Sequence, residues 1–240
     1  MDFGNITTNI IKSGLIFNMD AANRASTIPS TSTTTTFNTL NTSLTGTFND
    51  GAGYDSSTIS PSFQFDGADG DKINLSSTIS SLTNVPQFSL STWVYWNTTG
   101  NTNEWIFMQA STNNANRVQF ELYNQDLLFK FANAQGSVSA PSVGVDMINS
   151  AWVNITATFN VNNVSADRMI VYLNGSRASN TSYTAPDGNT NATFNYTTIG
   201  GRSETLYGFN GNIANFNIYN RALSSTEVKH NYNVLKGRFS

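Results

Sequence analysis

The densest run of oxygen ligands in the chain is Asp66-Gly67-Ala68-Asp69-Gly70-Asp71. Clustered carboxylates suit a hard cation, and Ca2+ takes roughly six to eight oxygens. Asp66, Asp69 and Asp71 therefore form a candidate Ca2+ site, with Asp20 and Asn23 as further donors. The spacing is not that of an EF-hand loop. The competing reading is a tight turn in which Asp caps backbone N–H groups and Gly takes positive φ. Glycoside hydrolysis needs two carboxylates flanking one bond. The nearest pair, Glu121 and Asp126, is five residues apart, and an odd separation places them on opposite faces if one strand runs through both. The sequence has four glutamates, Glu104, Glu121, Glu204 and Glu227, and one histidine, His230, with no nucleophile near it in sequence. No catalytic set emerges, and the protein is expected not to be an enzyme.

Sugar recognition asks for exposed aromatic rings beside amides, for stacking and for hydrogen bonding. Trp96 and Trp105 bracket the polar stretch 97–104, where Asn101 and Asn103 supply amides, and Tyr183 and Tyr207 sit in other predicted loops. Trp96, Trp105, Asn101 and Asn103 are the candidate carbohydrate-binding residues. The competing reading makes both indoles the buried ends of their strands.

The elements that must position these residues are strands. Hydrophobic residues are 38% and aromatics 12%, enough for a core in one domain of 240 residues. Charged residues are 11%, against about 25% in ordinary soluble proteins, and Asn, Ser and Thr fill the difference. A net charge of −3 gives neither a basic field for nucleic acid nor a polybasic membrane patch. There is no Cys, so there is no disulfide and no thiolate metal site. No apolar run is long enough to span a membrane, and the N-terminus lacks a basic segment followed by an apolar one, so no signal peptide is expected.

Period-two runs such as Pro86–Trp96, Arg117–Tyr123, Ala151–Asn160 and Arg168–Asn174 recur with turn signals between them. Asn174-Gly175 is a type I′ hairpin signal. The Thr/Asn-rich excursion from Ala21 to Pro61 carries Phe37, Leu40, Leu44 and Phe48 and reads as ordered, extended chain. Between Phe209 and Phe239 the sequence predicts a strand burying Ala214, Phe216 and Ile218 on one face. A capping box, Ser224-Ser225-Thr226-Glu227, follows, then a helix with Val228, Tyr232 and Leu235 on one side and a left-handed stop at Gly237. The fold class is all-β, a two-sheet antiparallel sandwich with a short C-terminal helix. Residues 1–12 read as an N-terminal arm and 13–240 as the domain.

The order of FDG at 65–67, FSLSTWV at 88–94, AWVNITATF at 151–159, VYLNG at 171–175, IGG at 199–201 and FNGNIANFNIYNRALSSTEV at 209–228 resembles the concanavalin A-like lectin/glucanase superfamily, in its laminin-G-like branch. The resemblance implies a jelly-roll sandwich of two curved sheets. Glycosidases of that superfamily typically carry Glu-x-Asp-x-Glu on one strand, and this chain has no such string. Gly14–Asn23 and the closing YNVLKGRF resemble a subgroup found in structural proteins of tailed bacteriophages. What the resemblance implies is a virion subunit, in capsid decoration, head fibre or tail, made in the host cytoplasm and oligomeric on the particle. Its partners would be other virion proteins and host surface polysaccharide, with no nucleic acid and no membrane insertion. Phe3, Ile6 and Ile10 would then anchor the arm on a neighbouring subunit, as an added strand. The rival expectation is a carbohydrate-binding adhesin domain.

Overall fold

Alternating apolar residues, punctuated by Gly and Asn, fold into two antiparallel sheets packed face to face in the computed structural model. The structure describes residues 9–27, 33–56, 60–97, 103–112, 116–123, 126–132, 138–139, 142–144, 151–179, 187–190, 193–202 and 208–240. In chain order the strands are β1 Leu15–Asp20, β2 Thr35–Asn38, β3 Asn41–Asn49, β4 Gly53–Asp55, β5 Ser62–Asp66, β6 Lys72–Leu75, β7 Gln87–Trp96, β8 Asn103–Ala110 and β9 Arg117–Tyr123. They continue as β10 Asp126–Ala132, β11 Val138–Ser139, β12 Ser142–Gly144, β13 Trp152–Asn160, β14 Met169–Leu173, β15 Ser176–Arg177, β16 Tyr196–Ile199 and β17 Asn210–Tyr219. The helix α1 covers Ser225–Leu235.

The first sheet runs β15-β14-β13-β7-β17-β5-β4, with β1 also on β17; the second runs β11-β10-β9-β8-β16-β6-β3-β2, with β12 also on β10. Between them lies a phenylalanine-rich core. Phe107 of the second sheet stacks on Phe216 of the first with centroids 4.9 Å apart, and Phe131 meets Phe159 edge-on at 4.5 Å. β2 and β3 lie within the excursion expected to be ordered, and Leu44 is buried there.

The outer face of the first sheet is sealed by the C-terminal segment. The capping box forms as expected, with Glu227 N donating to Ser224 Oγ and Ser224 N to Glu227 Oε2. Arg221 adds a two-pronged bond to Glu227 at 2.8 and 2.7 Å, and that guanidinium holds the Glu227 carboxyl down at about 2. Val228 packs with Leu223, Tyr219 and Tyr172 on that face, and Leu235 and Phe239 pack with Trp93 and Trp152. Gly237 does not take the left-handed stop read from sequence; the chain tightens instead into a 3-10 turn over Lys236–Arg238.

β17 also differs from simple alternation. A bulge between Ile213 and Asn215 breaks its register with β7. Ile213, Phe216 and Ile218 enter the core, while Ala214 turns outward beneath Leu235 and Phe239. Its polar face is buried too. Asn18 Nδ2 donates to Asn217 Oδ1, Asn217 Nδ2 to Asn215 Oδ1, and Asn215 Nδ2 to Asp20 Oδ2. Arg238 closes this chain on Asp20 with two 2.8 Å bonds.

Candidate functional site

Among the described residues, no helix covers the outer face of the second sheet, and the strand register writes out what that face presents. Asn103, Tyr123 and Asp126 form one row; Trp105, Glu121 and Leu128 the next; Met108, Gln119 and Lys130 the third; Ala110, Arg117 and Ala132 the fourth. Strict alternation would put Trp105 with Phe107 and opposite to Met108. A bulge between Trp105 and Phe107 resets the period, so Phe107 goes to the core while Trp105 and Met108 share the outside with Tyr196.

Arg202 reaches this face because of the Gly200-Gly201 step that ends β16. Gly200 has φ +79, and a Cβ on it would lie 2.1 Å from the Phe65 ring; a Cβ on Gly201 would lie 2.2 Å from Asp71 O. Only glycine lets the backbone pass so close. Gly200 N donates to Ile106 O at 3.0 Å, pinning the turn to the bulge itself. The Arg202 guanidinium then sits 5.5 Å over the Trp105 ring.

The result is a recess of about 230 Å³ whose walls include Trp105, Arg117, Gln119, Glu121, Lys130 and Arg202, with Asn103 and Met108 completing it. At its floor Glu121, 4% exposed, takes hydrogen bonds from Lys130 Nζ and Gln119 Nε2, one to each carboxylate oxygen. Beside it Tyr123 stands 44% exposed, with Lys130 Nζ 5.9 Å from its ring. The face thus offers an open aromatic ring, amides, guanidiniums and one neutralised carboxylate.

A second recess, about 390 Å³, opens beside α1 between Trp93, Trp152, Tyr232 and Phe239. Its aromatic faces are occupied by one another: Trp93 stacks on Phe239 at 4.2 Å and on Tyr232 at 5.6 Å. It is the joint between sheet and helix.

The residues singled out from sequence scatter over the molecule. Trp96 points into the core, where its Nε1 donates to Glu104 Oε2 at 3.0 Å, so it is no sugar platform. Glu104 also accepts from Asn210 N, which commits it to the interior. Trp105 lies on the exposed sheet face but is 5% exposed beneath Arg202, and Asn103 is beside Tyr123. Asn101, Tyr183, Tyr207, Phe3 and Ile6 lie outside the described residues. Ile10 is buried against this chain's own Leu235 and Phe239 cluster rather than offered to a partner, and Ile11 N donates to Asn231 Oδ1. His230 is exposed on α1, its Nε2 2.8 Å from Asn9 O.

Most of the expected cation donors are committed to other bonds. Asp71 Oδ2 accepts from Asp66 N at 2.6 Å, and Asp66 Oδ1 accepts from Ala68 N, which is the turn reading. Burial and the neighbouring Asp66 carboxyl push Asp71 up to about 6. Asp20 is bound by Arg238, and Asn23 Oδ1 accepts from Ala25 N. Among the described residues no three acidic or imidazole side chains converge on one point, so Asp69 does not join Asp66 and Asp71 in a metal cage.

Glu121 and Asp126 fall on one face after all. They belong to two strands of a hairpin, β9 and β10, not to one strand, and sit as diagonal neighbours there. Both Glu121 oxygens are engaged by Lys130 and Gln119, so neither is presented as a proton donor or nucleophile.

Tyr123, Met108, Arg117, Gln119, Lys130 and Arg202 were not picked out by sequence reasoning. Arg117, Gln119, Glu121 and Tyr123 share one parity of RVQFELY, a signal that marks a polar outer face.

The sequence pattern of the concanavalin A-like lectin/glucanases superfamily in its Laminin_G_3 form matches residues 65–229. The chain belongs to that family. No curated protein sequence matches it. This laminin G-like domain is similar to the receptor-binding domain of botulinum neurotoxin C/D mosaic serotype, at 14% identity and a TM-score of 0.66 over 92% of this chain and 51% of that one. The binding domain of Paraclostridial Mosquitocidal Protein 1 gives 14% identity and a TM-score of 0.65, covering 92% and 52%. The botulinum neurotoxin serotype D ligand binding domain, solved with N-acetylneuraminic acid, gives 15% and 0.63, covering 92% and 50%. The domain thus spans about half the length of these structures, and at such identities the likeness is one of fold. Among the described residues no helix is long and apolar enough to cross a membrane.

Proposed function

We propose that this domain is a non-enzymatic glycan-binding module, and that it binds through the outer face of the second sheet. The observation that carries the reading is the row Asn103–Tyr123 standing beside the polar recess: an exposed ring for the apolar face of a pyranose, with amide and charged groups alongside for its hydroxyls. The family and the fold shared with toxin receptor-binding domains, one of them solved with N-acetylneuraminic acid, support it. Trp105, though covered, holds Arg202 in place at the edge of the recess.

Screening the chain on a glycan array, with Tyr123→Ala beside it, tests this. The expected result is binding to a defined set of glycans that drops about tenfold or more in the variant, the loss of one stacking contact plus its neighbours' order. No binding to any glycan, or binding unchanged in Tyr123→Ala, refutes it.

A role as a subunit of a tailed-phage particle is compatible with glycan binding. Its support is the resemblance of Gly14–Asn23 and YNVLKGRF to phage structural proteins. Antibody labelling of the intact particle by microscopy tests it, and absence from purified particles rejects it.

A further inference from the structure

We propose that a Ca2+ ion binds between Asp66 and Asp71, beneath Gly51. The inference is independent of the glycan-binding reading. Residues 50–52 carry the chain from β3 in the second sheet to β4 in the first, and residues 67–71 carry it back from β5 to β6. The two crossings pack together, with Gly51 of one against the Asp66 and Asp71 carboxylates that flank the other.

Each of these carboxylates has one oxygen spent on the turn and one left over. Asp66 Oδ1 accepts from Ala68 N, and Asp71 Oδ2 accepts from Asp66 N. The other two oxygens converge: a Cβ on Gly51 would lie 2.7 Å from Asp66 Oδ2 and 2.8 Å from Asp71 Oδ1. Asp71 is fully buried, and its Oδ1 has no hydrogen-bond partner. A buried acceptor left so is costly, and a second carboxylate beside it adds repulsion. Lys72, the cation next to it in sequence, does not answer it, since its Nζ donates to Gly70 O at 3.1 Å.

A hard cation answers both oxygens at once. Ca2+ bonds oxygen at about 2.3–2.6 Å, close to the reach of these two oxygens to their common point. A methyl on residue 51 would fill that point and glycine leaves it open. Gly51 and Asp66 are both exposed, which gives the ion a way in. The turn already holds both carboxylates, so they cannot close to the ~2.0–2.1 Å octahedron that Mg2+ demands, whereas Ca2+ accepts a wider and less regular shell. Backbone carbonyls and water supply the remaining ligands, and Asp69 is not among them.

The whole 240-residue chain, stripped with EDTA, is melted near neutral pH in EDTA, CaCl2, MgCl2 or NaCl of matched ionic strength. Equilibrium dialysis measures Ca2+ uptake directly. At about ten times its Kd, Ca2+ should raise the midpoint by about 3–6 °C, with a smaller rise from Mg2+. Asp66→Asn and Asp71→Asn should bind Ca2+ about tenfold or more weakly and lose the rise. In EDTA Asp71→Asn should melt no lower than the parent, so that the loss is of the ion and not of the fold. Gly51→Ala keeps both carboxylates and should lose the rise too, while Asp69→Asn should keep it. No uptake and no rise in the parent overturns the proposal and leaves a proton alone between the carboxylates. A rise matched by NaCl, or one that persists in both Asp71→Asn and Gly51→Ala, overturns it as screening or as a site elsewhere. An equal rise from Mg2+ overturns the selection of Ca2+.

Discussion

Removing Arg238 should cost this domain more than removing its partner, Asp20. The two form a bidentate pair across 218 residues of sequence at 2.8 Å for both bonds, with 11% and 7% of their side chains exposed. Asp20 also accepts from Ala22 N at 3.0 Å and from Asn215 Nδ2 at 3.2 Å. Breaking a buried pair by deleting one member leaves the other charge uncompensated, at about 3–5 kcal/mol. In Arg238→Met the carboxylate keeps two neutral donors, which places the cost near the lower end, about 3 kcal/mol, or roughly 6–12 °C in Tm for a chain this long. In Asp20→Asn the amide oxygen still accepts from Ala22 N, and Arg238 lies in the last turn, where its flexible side chain can swing to water. That change should cost about 1–2 kcal/mol. The double variant removes both charges together and should cost roughly 2 kcal/mol less than the sum of the singles. Urea denaturation of the four proteins measures the cycle. Additive single costs, or Asp20→Asn proving the worse of the two, would show that the pair does not close the fold in the way described.

Two other expectations concern the turns. Asp71 is pushed up to about 6, so the folded chain holds a proton there that the unfolded chain releases nearer pH 4. That contribution is fully present below pH ~4 and is lost as pH rises through about 6; Asp66, shifted down by the same contact, titrates with it. Asp71→Asn should therefore gain on the order of 1 kcal/mol over the parent at pH 7–8, the gain fading toward pH 4. A pH-independent difference in thermal denaturation counts against the shared proton. Gly200→Ala places a methyl 2.1 Å from Phe65 at positive φ and should lose more than about 2 kcal/mol, whereas Gly237→Ala, with open space around it, should be near neutral. Equal melting temperatures for the two variants would remove the packing argument for the Gly-Gly step.

The architecture was legible because its signals are local. The capping box needs four adjacent residues, the Asn174-Gly175 turn two, and both take the expected form, with φ 49 and 73 at the turn. The core was legible for a related reason: Phe88, Leu90, Val94, Ile155, Ala157 and Phe159 keep one parity along β7 and β13 and enter the core together. What failed was placing carboxylates against groups on other strands and segments. Asp20 looks like a free ligand until Arg238 is brought to it, and Glu121 and Asp126 look divergent until a hairpin folds them onto one face. No spacing rule reports a partner two hundred residues away.

The site itself hinges on one inserted residue. Period two carries Trp105 into the core beside Phe107, and from sequence its aromatic character supports a core position as well as a sugar-facing one. The bulge reverses this, and the bulge is held from outside the strand, by Gly200 N on Ile106 O. That same Gly-Gly step carries Arg202 onto the face that Trp105 has just joined. One backbone contact therefore sets both the ring and the guanidinium above it, and their meeting is written in the pairing of β8 with β16 rather than in either strand alone. The same logic explains why polar parity in β9 was informative and aromatic residues in β8 were not. β9 pairs with β10 in unbroken register from Arg117 to Tyr123, so alternation survives folding there and fails one strand away.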